Sequence, residues 1–389
     1  MKIGFFVIVM CALVAAGCAA DAPDAYRTKQ PQLSSAASTT TAAPITATAN
    51  EREVISPDDE DPEAVEAPSA AIPATDPDDL RTDEVVSPYR GTPAEMSVWF
   101  APRLALKVDN APAAHPQEGL QEADVVFEEL VEGGLTRFLA IFHSQVPEFV
   151  GPIRSGRSSD IPLLMPFDGA FFGWSGSNWA FRRLLKTVAI NDVGVYQNPA
   201  QYWRKSDRPS PSNLWARSTQ LLQQFEVETP FSEQLWPFQK PEDRQAREGR
   251  KVEGVQIDWG LTDVAFRWSD SQKTWKRFQN GEHHLAITDE GEEEQITAEN
   301  VVIQFTKYVL TNEVDGNGAR IPLAQLSEGS GTAWILKNGE ITEGRWVKPN
   351  ITVHTQFVDE TGEAVPMTPG ATWVLLAPRD SATIIATDG

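Results

Sequence analysis

Between positions 124 and 157 the chain gathers side chains that can hold, move or neutralise charge: Asp124, Glu128, Glu129, Glu132, Arg137, Arg154 and Arg157. Two carboxylates facing one another across a glycosidic bond can divide the work of acid and base, so Glu128 and Glu132 are candidate proton donors. Their spacing argues against a direct pair. On one strand they share a face with Val126 and Leu130, yet stand about 13 Å apart at roughly 3.3 Å per residue. Glu129 falls on the opposite face, where it is either solvated or a buried charge that needs a partner. Arg154 and Arg157, three apart, share a helix face if their segment is helical. They could grip a carboxylate or phosphate through paired N–H forks, or neutralise Glu128 and Glu132 internally. Other constellations carry less. His283 and His284 are adjacent and point to opposite faces of a strand, a poor metal pair. Gly173-Trp174-Ser175-Gly176-Ser177 does not match the nucleophile elbow of serine hydrolases. Asp315 to Gly318 reads as a turn rather than a calcium loop, and Trp203, Trp215 and Trp236 read as packing rather than sugar platforms.

The elements that must position these groups begin with Leu104 to Val108, an apolar run that predicts a buried strand. Ala123 to Val131 and Thr136 to Ser144 predict two strands joined through Glu132-Gly133-Gly134 as a hairpin. Arg154 to Met165 is expected to be helical, and Gly169 to Trp174 a short strand. Asn178 is placed to cap a helix running through Lys186. From Val252 the pattern turns to strands at Val255 to Trp259, Val264 to Trp268, Val301 to Val309, Thr332 to Leu336 and Thr372 to Leu376, in the manner of a meander.

The N-terminus carries a different signal. After Met1-Lys2, Ile3 to Val14 is an apolar run of about a dozen residues, short for a membrane span and right for a signal peptide. It ends in Ala15-Ala16-Gly17-Cys18, a lipobox whose thiol can accept diacylglycerol, and several buried methylenes at about 0.8 kcal/mol each hold a domain at a bilayer. Residues 19–95 are rich in Ala, Thr, Ser, Pro and acid and predict a disordered tether. Within 51–88, thirteen acids oppose Arg52 and Arg81, a balance of −11. The whole chain has a formal charge of −22, which repels phosphate backbones and excludes nucleic acid as a partner. Cys11 and Cys18 are the two cysteines, so the mature chain is expected to have no disulfide and no cysteine metal site. No cofactor is expected.

Asp109-Asn110, Pro116-Gln117, Gly119-Leu120, Ala123-Asp124, Glu128, Glu132-Gly133-Gly134, Thr136-Arg137, Gly151-Pro152-Ile153-Arg154-Ser155 and Arg157 form a pattern that resembles the N-terminal domain of the YerB-type lipoproteins. Pro211 and Asn213-Leu214 follow, and Asn300-Val301-Val302, Gly329-Ser330-Gly331, Gly370 and Trp373, within Val252 to Pro378, extend the resemblance to the C-terminal domain. The resemblance implies an exported bacterial lipoprotein, and makes Asp109, Asn110, Thr136, Ser155 and Asn213 candidate ligand contacts beside Glu128, Glu132, Arg137, Arg154 and Arg157. The family pattern has an arginine where this chain has His115 and a histidine where it has Ser212. A mechanism that used that histidine as a base would be disabled here.

The expected fold is α+β: a signal peptide and lipobox at 1–18, the tether at 19–95, a mixed α/β domain at 96–240, a linker at 241–251 and a β-rich domain at 252–380. The expected role is a non-catalytic binding or scaffolding lipoprotein on the extracytoplasmic face of the membrane, held by Cys18 and meeting peptidoglycan or a wall-synthesis protein. The alternative is a wall-glycan cleaving enzyme with Glu128 or Glu132 as its acid.

Overall fold

The computed structural model describes residues 85–223, 233–240, 249–315 and 318–387. The signal segment, Cys18, most of the tether and most of the 241–251 linker lie outside the described residues.

Leu104–Asp109 forms a strand buried on both faces, as its apolar run predicts. Val125–Leu130 and Thr136–Phe142 form the predicted antiparallel hairpin, with Leu104–Asp109 on the far side of Thr136–Phe142. The turn needs its two glycines. Gly133 and Gly134 both have positive φ, and a Cβ on Gly134 would stand 2.8 Å from the Leu261 amide nitrogen.

The two halves of the chain are joined by a shared sheet. Thr372–Leu375, near the C-terminus, pairs in parallel with Val125–Leu130 and continues to Asn300–Gln304, Gly329–Lys337 and Glu340–Lys348. One eleven-stranded sheet therefore runs through both halves of the chain. The reason is visible in Val125–Leu130. An apolar strand buried on both faces needs a hydrogen-bonded neighbour on each edge, and the hairpin supplies only one. Gln117–Glu118 makes a second cross-connection by pairing in parallel with Leu285–Ile287.

Side-chain alternation in the shared sheet feeds two cores. Leu104, Leu106, Val108, Val126, Phe138 and Ala140 face a second sheet, where Val255, Ile257, Val264, Phe266 and Trp275 are buried. Ala105, Val125, Phe127, Leu139 and Ile141 face the short helices, with Ile161, Leu164, Phe181 and Leu185. Each fully buried aliphatic or aromatic side chain contributes about 1.5–3 kcal/mol.

Among the described residues, helix is scarcer in the N-terminal half than a mixed α/β domain requires. Its α-helices are Asp160–Leu164, Trp179–Leu185 and Ser218–Gln223. The Arg154–Met165 helix is corrected to its last turn. Upstream the chain is extended, because Ile153 donates to the Leu214 carbonyl, Arg154 to that of Lys107 and Gly156 to that of Gly176. Asn178 caps its helix as expected, its Oδ1 accepting the Phe181 amide at 2.8 Å. Val301 to Val309 splits into Asn300–Gln304 and Tyr308–Val314, because the Thr306 amide turns to the Ala377 carbonyl. Folded structure also starts earlier than residue 96. Ser87 and Tyr89 are buried, and Arg103 Nε donates to the Tyr89 hydroxyl at 3.0 Å. At the other end, Ala382–Ile385 pairs with Gly254–Asp258, beyond the expected limit at 380.

Candidate functional site

Glu128 and Glu129 are consecutive on one strand, so their carboxylates enter opposite cores. Glu128 meets Arg277, whose Nη2 lies 2.9 and 3.0 Å from its two oxygens. Both side chains are fully buried. Thr136 Oγ1 donates to Glu128 at 2.8 Å and Asn110 Nδ2 to Thr136 at 2.7 Å. Arg277 Nη1 donates to Gln279 Oε1 at 2.9 Å and touches His284 Nδ1. The guanidinium also sits 5.2 Å from the Phe138 ring centroid and 5.1 Å from that of Trp373. His284 stacks on His115 at 4.3 Å and 5°, and its Nε2 bonds Gln117 Oε1 at 2.7 Å. Burial, then the Arg277 charge, holds His115 down to about 4 and His284 well below the usual histidine value. This is a closed polar network in which each charge has a partner.

On the other face Glu129 pairs with Lys107, whose Nζ also reaches Asp160 Oδ1 at 2.7 Å. Asp160 Oδ2 accepts the Arg157 amide at 2.7 Å. Burial raises Glu129 toward its neutral acid, against the pull of Lys107 and with the push of Asp160.

Where these strands end, a third group assembles. Cross-strand register sets Arg137 opposite Asp109 on one side and Glu129 on the other. Arg154 Nε forms an ion pair with Asp109 Oδ2 at 3.1 Å, and Ser212 Oγ donates a hydrogen bond to the same oxygen at 2.7 Å. Arg157 Nη2 lies 2.8 Å from Glu132. Burial alone would raise Glu132, but the hydrogen bond and charge of Arg157, with the charge of Arg137, hold it below the ordinary glutamate value. Arg137 is left over. Its contacts are 3.9 Å to Glu132 and 3.4 Å to the Ser155 carbonyl, both beyond good hydrogen-bond distance, with only 9% of its side chain exposed. Burial, then Arg157 and Arg154, lowers it to about 10. The Nε of Arg157 is a buried donor without an acceptor among the described residues.

The structure thus brings Asp109, Glu132, Arg137, Arg154, Ser155 and Arg157 together, and places Asn110, Glu128 and Thr136 in the closed network behind them. Asn213 stands aside, accepting from Arg204 Nη1 at 2.6 Å and donating to the Lys205 carbonyl, while its neighbour Ser212 reaches Asp109. Glu128 is neutralised by Arg277, not by Arg154 or Arg157. Sequence reasoning missed Arg277, Lys107 and Asp160. Alternation over Trp275, Arg277 and Gln279, all buried, could have placed Arg277 inside, and Lys107 interrupts an apolar strand. His284 is buried and His283 exposed, as opposite faces require. Among the described residues no group of three or more histidines, cysteines or acids could hold a metal.

Comparison with known proteins agrees with this architecture. The family model described as "Protein of unknown function (DUF3048) N-terminal domain" matches residues 91–230, and the corresponding C-terminal domain model matches 255–374. YerB of Bacillus subtilis (strain 168), whose name marks it as a candidate lipoprotein, is 28% identical over 312 residues, covering 78% of this chain and 89% of its own. The crystal structure of the YerB protein from Bacillus subtilis superposes with a TM-score of 0.66 at 26% identity, over 77% of this chain and 99% of that one. The chain belongs to the DUF3048 family, and it is similar to YerB over about three quarters of its length.

Proposed function

We propose that this protein is a lipid-anchored envelope protein that binds rather than cleaves, and that its ligand presents an anionic group to Arg137, Arg154 and Arg157. The anchor rests on the lipobox ending at Cys18 and on the relative whose name suggests a lipoprotein. Among the described residues no helix is long and apolar enough to cross a membrane. The observation that carries the binding reading is Arg137. A nearly buried guanidinium beside two others, with its contact to Glu132 at 3.9 Å, is costly unless an anion completes it. Carboxylates and phosphates are the groups its planar fork fits, and both occur in bacterial walls.

The cleavage alternative gains little from the geometry. Glu128 is buried with its two oxygens on Arg277, and Glu132 is held in its charged form by Arg157, whereas a general acid must keep a proton near neutral pH. The test uses the full chain in detergent, incubated with peptidoglycan fragments. Retention that weakens about 10- to 100-fold in Arg137→Gln and falls with salt is the expected result, a charge-assisted bond being worth about 1.5–3 kcal/mol. Release of soluble muropeptides that vanishes in Glu132→Gln would sink the binding reading.

A further inference from the structure

The tryptophans read from sequence as packing are mostly interior: Trp215 and Trp236 are buried, and Trp203 packs on Phe149 with Arg217 over its ring. A different tryptophan is open. Trp179 opens the Trp179–Leu185 helix with 65% of its surface exposed, although Phe181 and Leu185 of the same helix are buried. Arg183 stands 4.7 Å from its ring centroid on one face.

The segment that leads into Trp179 is fastened to the arginine cluster. The Ser175 amide donates to the Arg154 carbonyl at 2.8 Å, and the Gly156 amide to the Gly176 carbonyl at 3.1 Å. Gly156, between Ser155 and Arg157, lies so close to Phe181 that a Cβ there would stand 2.5 Å from its ring. Asn178 is fixed on both sides, capping the helix through Oδ1 and donating through Nδ2 to Glu313. A second open aromatic, Tyr196 at 63% exposure, packs 5.8 Å from Trp174, whose ring in turn lies 5.1 Å from that of Phe181. Backbone bonds and ring packing therefore tie two exposed aromatic side chains to the same loops that carry Arg154 and Arg157.

Resting on the anion-binding reading above, we infer that the ligand is a saccharide bearing a carboxylate or phosphate, its anionic group taken by Arg137 and a sugar ring stacked on Trp179. A pyranose has one face of C–H groups and a rim of hydroxyls. The C–H face removes apolar indole surface from water while the rim stays solvated, so an open indole suits a sugar better than a bare ion. The positive end of the site selects sugars that carry a negative substituent over neutral ones. Trp179 supplies area and Arg137 supplies charge, so neither alone gives full affinity.

The experiment titrates the full chain in detergent with four probes: lactate, N-acetylglucosamine, N-acetylmuramic acid and N-acetylglucosamine 1-phosphate. The inference expects one or both anionic sugars to bind at least tenfold more tightly than lactate, and the neutral sugar more weakly than either. Which anionic sugar wins distinguishes carboxylate from phosphate. Trp179→Ala is expected to remove the sugar's advantage while leaving lactate affinity unchanged, and Trp179→Tyr to restore part of it. Equal affinity for lactate and both anionic sugars, or equal losses for all probes in Trp179→Ala, overturns the saccharide inference and leaves the anion site standing. Failure of every anionic probe to bind, with no effect of Arg137→Gln, overturns both.

Discussion

Glu128 with Arg277 and Glu132 with its arginines use the same chemistry at two depths of one sheet. In the first, one carboxylate meets one guanidinium with two oxygens engaged, and Thr136, Gln279 and His284 bond the remainder. In the second, three arginines share Asp109 and Glu132, and Arg137 is left at 3.9 Å. Counting Lys107, Glu129 and Asp160 beyond it makes four cations against four acids on that face, but Glu129 is raised toward neutrality and is spent on Lys107. In the deep network the carboxylate has both oxygens on one guanidinium, although the Arg277 Nε is itself a buried donor without an acceptor among the described residues. On the binding reading proposed above, an anionic ligand completes the outer one. The lesson is that burial of a charged cluster says little about its role until its partners have been counted.

The largest expected effect breaks the deep network. Arg277→Met leaves Glu128 buried without its partner and should cost about 3–5 kcal/mol of folding stability, read as a lower denaturant midpoint. Arg277→Met combined with Glu128→Gln should recover much of that loss, because no lone charge remains. Additive losses in the double variant would show that the two side chains are not a coupled pair.

How much of this was legible in sequence follows from the range of each interaction. The Glu132-Gly133-Gly134 hairpin and the Asn178 cap are local, and both could be read from a few consecutive residues. The pairing of Thr372–Leu375 with Val125–Leu130 joins segments far apart in the chain, and nothing in either strand names the other. The same holds for the site. Arg157 and Glu132 lie 25 residues apart and were suspected together, whereas Arg277 and Glu128 lie 149 apart and were not. The helix expected from Arg154 failed for a related reason: its amides were claimed by Lys107 and Gly176, residues outside any local window.

A smaller effect separates the two regions by acid. His115 is depressed from 6.5 to about 4, so between those values the unfolded chain takes up a proton that the folded chain refuses. Stability from this group is therefore intact above about pH 6.5 and is lost as pH falls toward 4. His284 acts in the same direction. The melting temperature of the chain should fall between pH 7 and pH 5, and His115→Gln should flatten that slope, by about 1–2 kcal/mol at pH 5. A variant whose profile runs parallel to that of the parent would remove His115 from the account.

The smallest effect on stability belongs to Arg137, and its direction is the sharpest test of the contrast. Truncating a satisfied buried arginine destabilises, as at Arg277. Truncating one whose contact to Glu132 is at 3.9 Å removes repulsion from Arg154 and Arg157, together with the desolvation cost of its own charge. Arg137→Gln should therefore leave the denaturant midpoint unchanged or raise it, by up to about 1 kcal/mol, while anion binding is lost. A loss as large as that for Arg277→Met would mean that Arg137 is held by the protein itself, and the outer cluster would then be a second closed network rather than a receptor for an anion.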